Sequence, residues 1–174
     1  MCSLISDFDG EFSCSNEPHA IAYDDFTRRE VRSLVFHVLY AVEAFDYQIS
    51  LESIIDNFNR GFNLDIPAQG EIYQVTSVII EHRDSLDEYY KPFLTHWPFD
   101  RLSVCTKLIL RFAVWEIMYT QTNERIIINE AVELAKCFAE EDAYRFINGV
   151  LDRVAKSVRT QNSVPSNDSS TVKN

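Results

Sequence analysis

A chain of 174 residues, 46% hydrophobic and 25% charged, carries the composition of one ordinary globular domain. That excludes a wholly disordered chain, a collagen-like fibre and a disulfide-held mini-scaffold, and four glycines with five prolines are too few turn residues for a many-stranded sandwich or barrel. The net charge of −11 argues against non-specific binding of polyanions, which rests on lysine and arginine displacing counterions.

The charge is unevenly placed. Residues 1–26 carry six acids (Asp7, Asp9, Glu11, Glu17, Asp24, Asp25) and no lysine or arginine, and 160–174 are neutral. The body between them is close to balance by comparison. Residues 1–26 are therefore expected to be an acidic, flexible extension and 160–174, polar and aperiodic, a disordered tail. No apolar run approaches the ~18 residues of a membrane span, and the start of the chain has no basic, apolar leader, so the expected location is the cytoplasm. Cys2, Cys14, Cys105 and Cys137 form no C-x-x-C pair and read as four reduced thiols.

Between the ends, helix signals recur. Thr27-Arg28-Arg29-Glu30 fits a capping box, after which Val31, Leu34, Val35, Val38, Leu39 and Val42 fall on one helical face. Arg28, Arg29 and Arg32 lie largely off that stripe. A second helix is predicted after Ser50, with Ile54 and Ile55 inward, stopping near Gly61. A third starts around 69–71 and is predicted to continue with a bend through Leu86 and Tyr90. Trp97-Pro98-Phe99-Asp100 reads as a break in which Asp100 can cap a long apolar helix over about 101–120. A fifth helix is predicted over about 127–138 and a last one after Asp142. The fold class is all-α, with the helical domain spanning 27–159.

Sequence motifs for catalysis are missing. His19, His37, His82 and His96 are scattered, and no phosphate-binding glycine loop, zinc signature or nucleophile elbow is present. Leu4-Ile5-Ser6-Asp7-Phe8-Asp9-Gly10 resembles the nucleophile loop of haloacid-dehalogenase-like phosphatases, but that chemistry needs a doubly wound sheet, and nothing after residue 11 alternates strands with helices. No cofactor, no metal and no enzymatic activity are expected.

Three stretches together resemble the NusB family of bacterial antitermination factors. They are Arg28-Arg-Glu-Val-Arg-Ser-Leu-Val-Phe-His-Val-Leu-Tyr40, the run Trp97-Pro-Phe-Asp-Arg-Leu102 continuing to Leu110-Arg-Phe-Ala-Val-Trp-Glu116, and Ile128-Asn-Glu-Ala-Val-Glu-Leu-Ala-Lys136 with Phe146-Ile-Asn-Gly-Val-Leu-Asp152. The resemblance covers roughly residues 27–159. It implies a bundle of about seven helices that pairs with NusE, a small-subunit ribosomal protein, and binds the boxA element of nascent RNA. In that role it would join the RNA polymerase antitermination complex, especially on ribosomal RNA operons. The same domain also occurs ahead of an RNA cytosine methyltransferase, and the stand-alone factor is the expected match.

Carried over residue by residue, the resemblance assigns Arg28, Arg29 and Arg32 to RNA, and guanidiniums suit phosphates and unpaired bases. It also assigns Asp142, Arg145 and Phe146, an aromatic beside a cation. Tyr40 is left open between packing and RNA contact. Thr106 and Lys107 fall where the family faces NusE, although Thr106 replaces a usual acid. Glu30 replaces a frequent basic residue, His37 a common Gln, and Ala139 a usual helix-ending Gly. Ile128, Ala131, Leu134 and Asn148-Gly149 read as packing residues that let helices approach closely. Two alternatives stay open: a module that binds NusE with weak or no RNA affinity, and a self-dimer. The acidic segment before Arg28 is expected to compete with RNA or merely to solubilise.

Overall fold

The computed structural model describes residues 21–95 and 97–162. The phosphatase-like loop with Asp7 and Asp9, and most of the acidic segment, lie outside the described residues. Seven α-helices make up most of the described chain: α1 Arg28–Ala44, α2 Leu51–Phe62, α3 Glu71–Glu81, α4 Arg83–Tyr90, α5 Val104–Tyr119, α6 Glu124–Phe138 and α7 Ala143–Asn162. Two residue pairs add a parallel bridge, β1 Ile21–Ala22 against β2 Leu64–Asp65. The all-α expectation is met. None of these helices is long and apolar enough to cross a membrane.

α1 starts where its residues say it must. The Thr27 hydroxyl accepts from the Glu30 amide at 3.3 Å, while the Thr27 amide donates back to the Glu30 carboxylate at 2.6 Å. Those bonds satisfy amides that no preceding turn can reach. Glu30 is thereby fixed in the cap, which explains an acid in an otherwise basic stretch. The Thr27 hydroxyl and amide hold the Glu30 carboxyl below its ordinary range. A depressed carboxylate contributes stability above its unfolded pKa, and that contribution is lost as pH falls through the folded value. Thr27→Ala should cost about 1 kcal/mol in thermal or urea unfolding at neutral pH, and the difference from the parent should shrink in acid.

The expected edges shift in four places. α2 runs past Gly61 to Phe62, and Asn63 takes the left-handed cap at φ 52°, a conformation that Asn tolerates through its short polar side chain. The bend in the third helix is a full break at His82, which leaves α3 and α4 separate. Asp100 does not cap α5. It sits in a 3-10 turn, Phe99–Arg101, and Ser103 is the cap, its hydroxyl accepting from the Thr106 amide at 3.2 Å. α6 begins three residues early, because Asn123 caps it with a bond from the Arg125 amide at 2.9 Å.

The ends shift too. Residues 21–26, expected in the flexible extension, join the fold through β1 and through Tyr23 and Phe26, which pack on the core. α7 runs on to Asn162. Ala139 needs no glycine freedom, since it leaves α6 with extended backbone.

α5 is the central element, packing against α1, α3, α4, α6 and α7. Its apolar residues surround the axis, so Leu108, Ile109, Leu110, Phe112, Ala113 and Val114 are all buried. Ile128 and Ala131 pack into the same core as expected. Gly149 departs from its expected role: a Cβ there would meet nothing within 4 Å, so no close helix approach depends on it.

A charged network crosses this core. Arg111 on α5 donates to both Asp87 oxygens of α4 at 2.7 Å, and to Glu43 of α1 at 3.1 Å. The Tyr90 hydroxyl, fully buried, donates to Asp87 at 2.9 Å. The same network reaches the loop after α1, where Tyr47 adopts a left-handed φ of 59° while donating to Glu43 and lying under the Arg83 guanidinium. Burial and the Glu43 carboxylate push the Tyr47 hydroxyl above its ordinary pKa.

The reading of four reduced thiols holds at Cys105, which is free, and fails at Cys137, which is disulfide-bonded. Cys2 and Cys14 lie outside the described residues.

Candidate nucleic-acid interface

The three arginines of α1 do not stand alone in solvent. Arg28 donates to both Glu71 oxygens at 2.8 and 2.9 Å, and the Tyr23 hydroxyl donates to the same carboxylate at 2.7 Å. Burial and the Glu71 carboxylate push the Tyr23 hydroxyl up to about 12. Arg29 forks onto Glu130 of α6 at 3.0 and 3.1 Å, and that bond raises the Arg29 pKa. Arg32 pairs with Glu116 of α5 at 2.9 Å.

Exposure separates the three. The Arg28 side chain is 77% exposed and that of Arg29 64%, whereas Arg32 and Glu116 are only 14% and 11% exposed. The Arg28–Glu71 pair is exposed on both sides and contributes little, so an incoming phosphate can take over Arg28; Arg29 is exposed as well, although its partner Glu130 is only 14% exposed. The Arg32–Glu116 pair is enclosed, and breaking it strands a carboxylate whose pKa burial already raises against the pull of Arg32. Arg32 therefore serves the fold as a link between α1 and α5.

α1 and α6 lie side by side and run the same way. Arg29 reaches Glu130, and two turns further on Phe36 stacks on Phe138 at a centroid distance of 4.9 Å. His37 meets the edge of Phe138 and hydrogen-bonds through Nδ1 to the Ser33 carbonyl at 2.6 Å. Tyr40 lies at the outer margin of this aromatic group, 6.5 Å from the Phe36 ring and 46% exposed. Twelve helical residues put it about 18 Å along α1 from Arg28.

The end of α6 leads directly into the start of α7. Asp142, at φ 66°, forms an exposed pair with Arg145 at 3.4 Å. Arg145 also donates to the Tyr144 hydroxyl at 3.0 Å. Phe146 is half-buried and lies 5.9 Å from the ring of Trp97. The expected RNA residues thus fall into two groups, arginines at the start of α1 and an aromatic and charged cluster at the start of α7, with Tyr40 towards the α6 end of α1.

Thr106 is enclosed. It is 2% exposed, and its hydroxyl donates to Glu140 at 3.3 Å. That bond and one from Ser103 hold the Glu140 carboxyl below its ordinary range. A partner touching this region would meet Lys107, whose ammonium lies 4.7 Å from the Phe99 ring, or Glu140 itself. Among the described residues no group of three or more His, Cys, Asp or Glu could hold a metal ion.

Sequence reasoning missed the carboxylates that hold the arginines. Glu71, Glu116 and Glu130 stand 43, 84 and 101 residues away from their partners, beyond the reach of any local pattern. It also passed over Trp97 as a surface residue.

Comparison with known proteins places this geometry in a family. A family model described as the NusB family matches residues 29–156. Transcription antitermination protein NusB of Staphylococcus aureus (strain JH9) is 35% identical over 130 residues, covering 75% of this chain and 99% of that protein. The solved structure of T. maritima NusB superposes with a TM-score of 0.66 at 31% identity, covering 75% of this chain and 92% of that one. A crystal structure of the antitermination factors NusB and NusE in complex with dsRNA shares the fold, with a TM-score of 0.63 at 23% identity over 75% of this chain and 96% of that one. The match spans the arginine-rich start of α1, the central helix and both halves of the α6–α7 motif, and the chain belongs to the NusB family.

Proposed function

We propose that this chain is a transcription antitermination factor, not an enzyme, that acts in the cytoplasm by binding boxA-type single-stranded RNA together with NusE. One observation carries the RNA part: Arg28 and Arg29 project from the start of α1 with side chains 77% and 64% exposed, where their guanidiniums can meet a phosphate. The family supplies the partner, since a solved protein of this fold is a NusB–NusE complex with double-stranded RNA. Tyr40, Asp142, Arg145 and Phe146 extend the contact towards the α6–α7 junction, and Lys107 is the accessible residue for NusE. Residues 27–159 form the functional domain in this reading.

The test is a titration of labelled boxA-like single-stranded RNA with the full chain, with and without NusE, at low and moderate salt. Tighter binding with NusE, weakening as salt rises, is the expected result. NusE capture with no RNA binding at either salt would replace it with a protein-interaction module.

A further inference from the structure

We infer that Trp97 and Phe146 together form the aromatic wall of a slot for one unpaired nucleobase, an inference that rests on the RNA-binding reading above and adds Trp97 and Arg101 to it. The slot is a cavity of about 240 Å³ between the segment that precedes α5 and the start of α7. Trp97, Phe146, Leu102, Arg101, Asp142 and Glu141 are among the residues that line it. Its size suits a single base, falling just under the ~300 Å³ at which pockets for larger ligands begin.

Three features favour a base as the occupant. Trp97 is 54% exposed although the molecule has a continuous core, so about half of its surface is open to a ligand. Its ring lies 5.9 Å from that of Phe146 with 54° between the planes, closer than the two stacking distances a base between them would need, so the two touching rings form a single surface on which a base can stack. Aromatic faces stack on any base, because every base presents a π-face. The charges then fix the orientation. Asp142 and Glu141 on one side repel a phosphate and can only accept, so what enters is a base edge carrying N–H groups. Arg101, exposed on the rim, is placed to meet the backbone that stays outside. Phe146 lines the slot and Arg145 is its neighbour in sequence, so one strand can reach both.

The chain has two tryptophans, Trp97 and Trp115. Trp115→Phe leaves Trp97 as the sole reporter, and a helical circular dichroism spectrum checks that the fold is kept. Adding boxA-like single-stranded RNA should quench the Trp97 emission as the base stacks. Trp97→Ala in the otherwise unaltered chain should weaken RNA binding by roughly 5- to 100-fold, with Trp97→Phe recovering most of it. If Arg28→Ala/Arg29→Ala abolishes binding while Trp97→Ala binds like the parent and the emission stays unchanged, the slot is refuted and the RNA reading stands. If the parent itself binds no RNA, the RNA reading has failed first. Emission that responds to NusE alone, with no further change on adding RNA, would assign the slot to the protein partner and overturn the inference.

Discussion

Arg111→Ala is expected to destabilise the domain by about 3–5 kcal/mol, the cost of leaving a buried carboxylate without its partner. Arg111 is the hub of the core network, with two 2.7 Å bonds to Asp87 and a third contact to Glu43. Removing it strands Asp87, which is itself buried and keeps only the Tyr90 hydroxyl as a donor. Burial lowers the Arg111 pKa, but Asp87 and Glu43 outweigh it and raise the value overall, so the guanidinium stays charged at every accessible pH. The urea midpoint should fall by more than about 1 M, given typical slopes of ~1–3 kcal/mol per molar. Arg111→Met combined with Asp87→Leu should cost less than the single alanine change, since the buried carboxylate goes with its partner; Glu43 is more exposed and keeps the Tyr47 hydroxyl, and the Tyr90 hydroxyl, left without its acceptor, sets the remaining cost. A single variant that unfolds like the parent would show that water reaches Asp87 and compensates it.

The second large effect falls on RNA. Arg28→Ala with Arg29→Ala should weaken boxA-like RNA binding by at least ten-fold and flatten its salt dependence by about 1.4 in log–log slope, at ~0.7 per phosphate on a single strand. Losing Arg28 should hardly move stability, because its pair with Glu71 is at the surface, whereas losing Arg29 leaves Glu130, 14% exposed, without its partner and should carry most of the small stability cost. Glu71→Gln with Glu130→Gln should act in the opposite direction, since those carboxylates occupy the guanidiniums that RNA needs. Arg32→Ala should behave as a stability variant by comparison, its partner Glu116 being enclosed. Filter binding at several salt concentrations, paired with unfolding curves, separates the two behaviours. Equal RNA affinity in the doubly substituted arginine variant and the parent would remove α1 from the interface.

Not every element was equally legible. The capping box at Thr27 and Glu30 could be read because its two bonds join residues three apart. The α5 start was misplaced because Asp100 and Ser103 are both competent caps, and only the 3-10 turn at Phe99–Arg101 decides between them. Thr106 and Lys107, neighbours in sequence, differ in exposure because one is turned towards Glu140 between α6 and α7 and the other lies over Phe99.

The sequence by itself determined the helical class, the inward stripes and the family, since 3.6-residue periodicity and near-contiguous motifs are local properties of the chain. Only the tertiary structure decided which arginines are available. Arg28, Arg29 and Arg32 share one helix and one chemistry, yet the side chains of the first two face water and the third is locked against α5. That distinction rests on glutamates that approach from three other parts of the chain. Long-range packing sets their positions, and it also brings Trp97 against Phe146 across 49 residues of sequence.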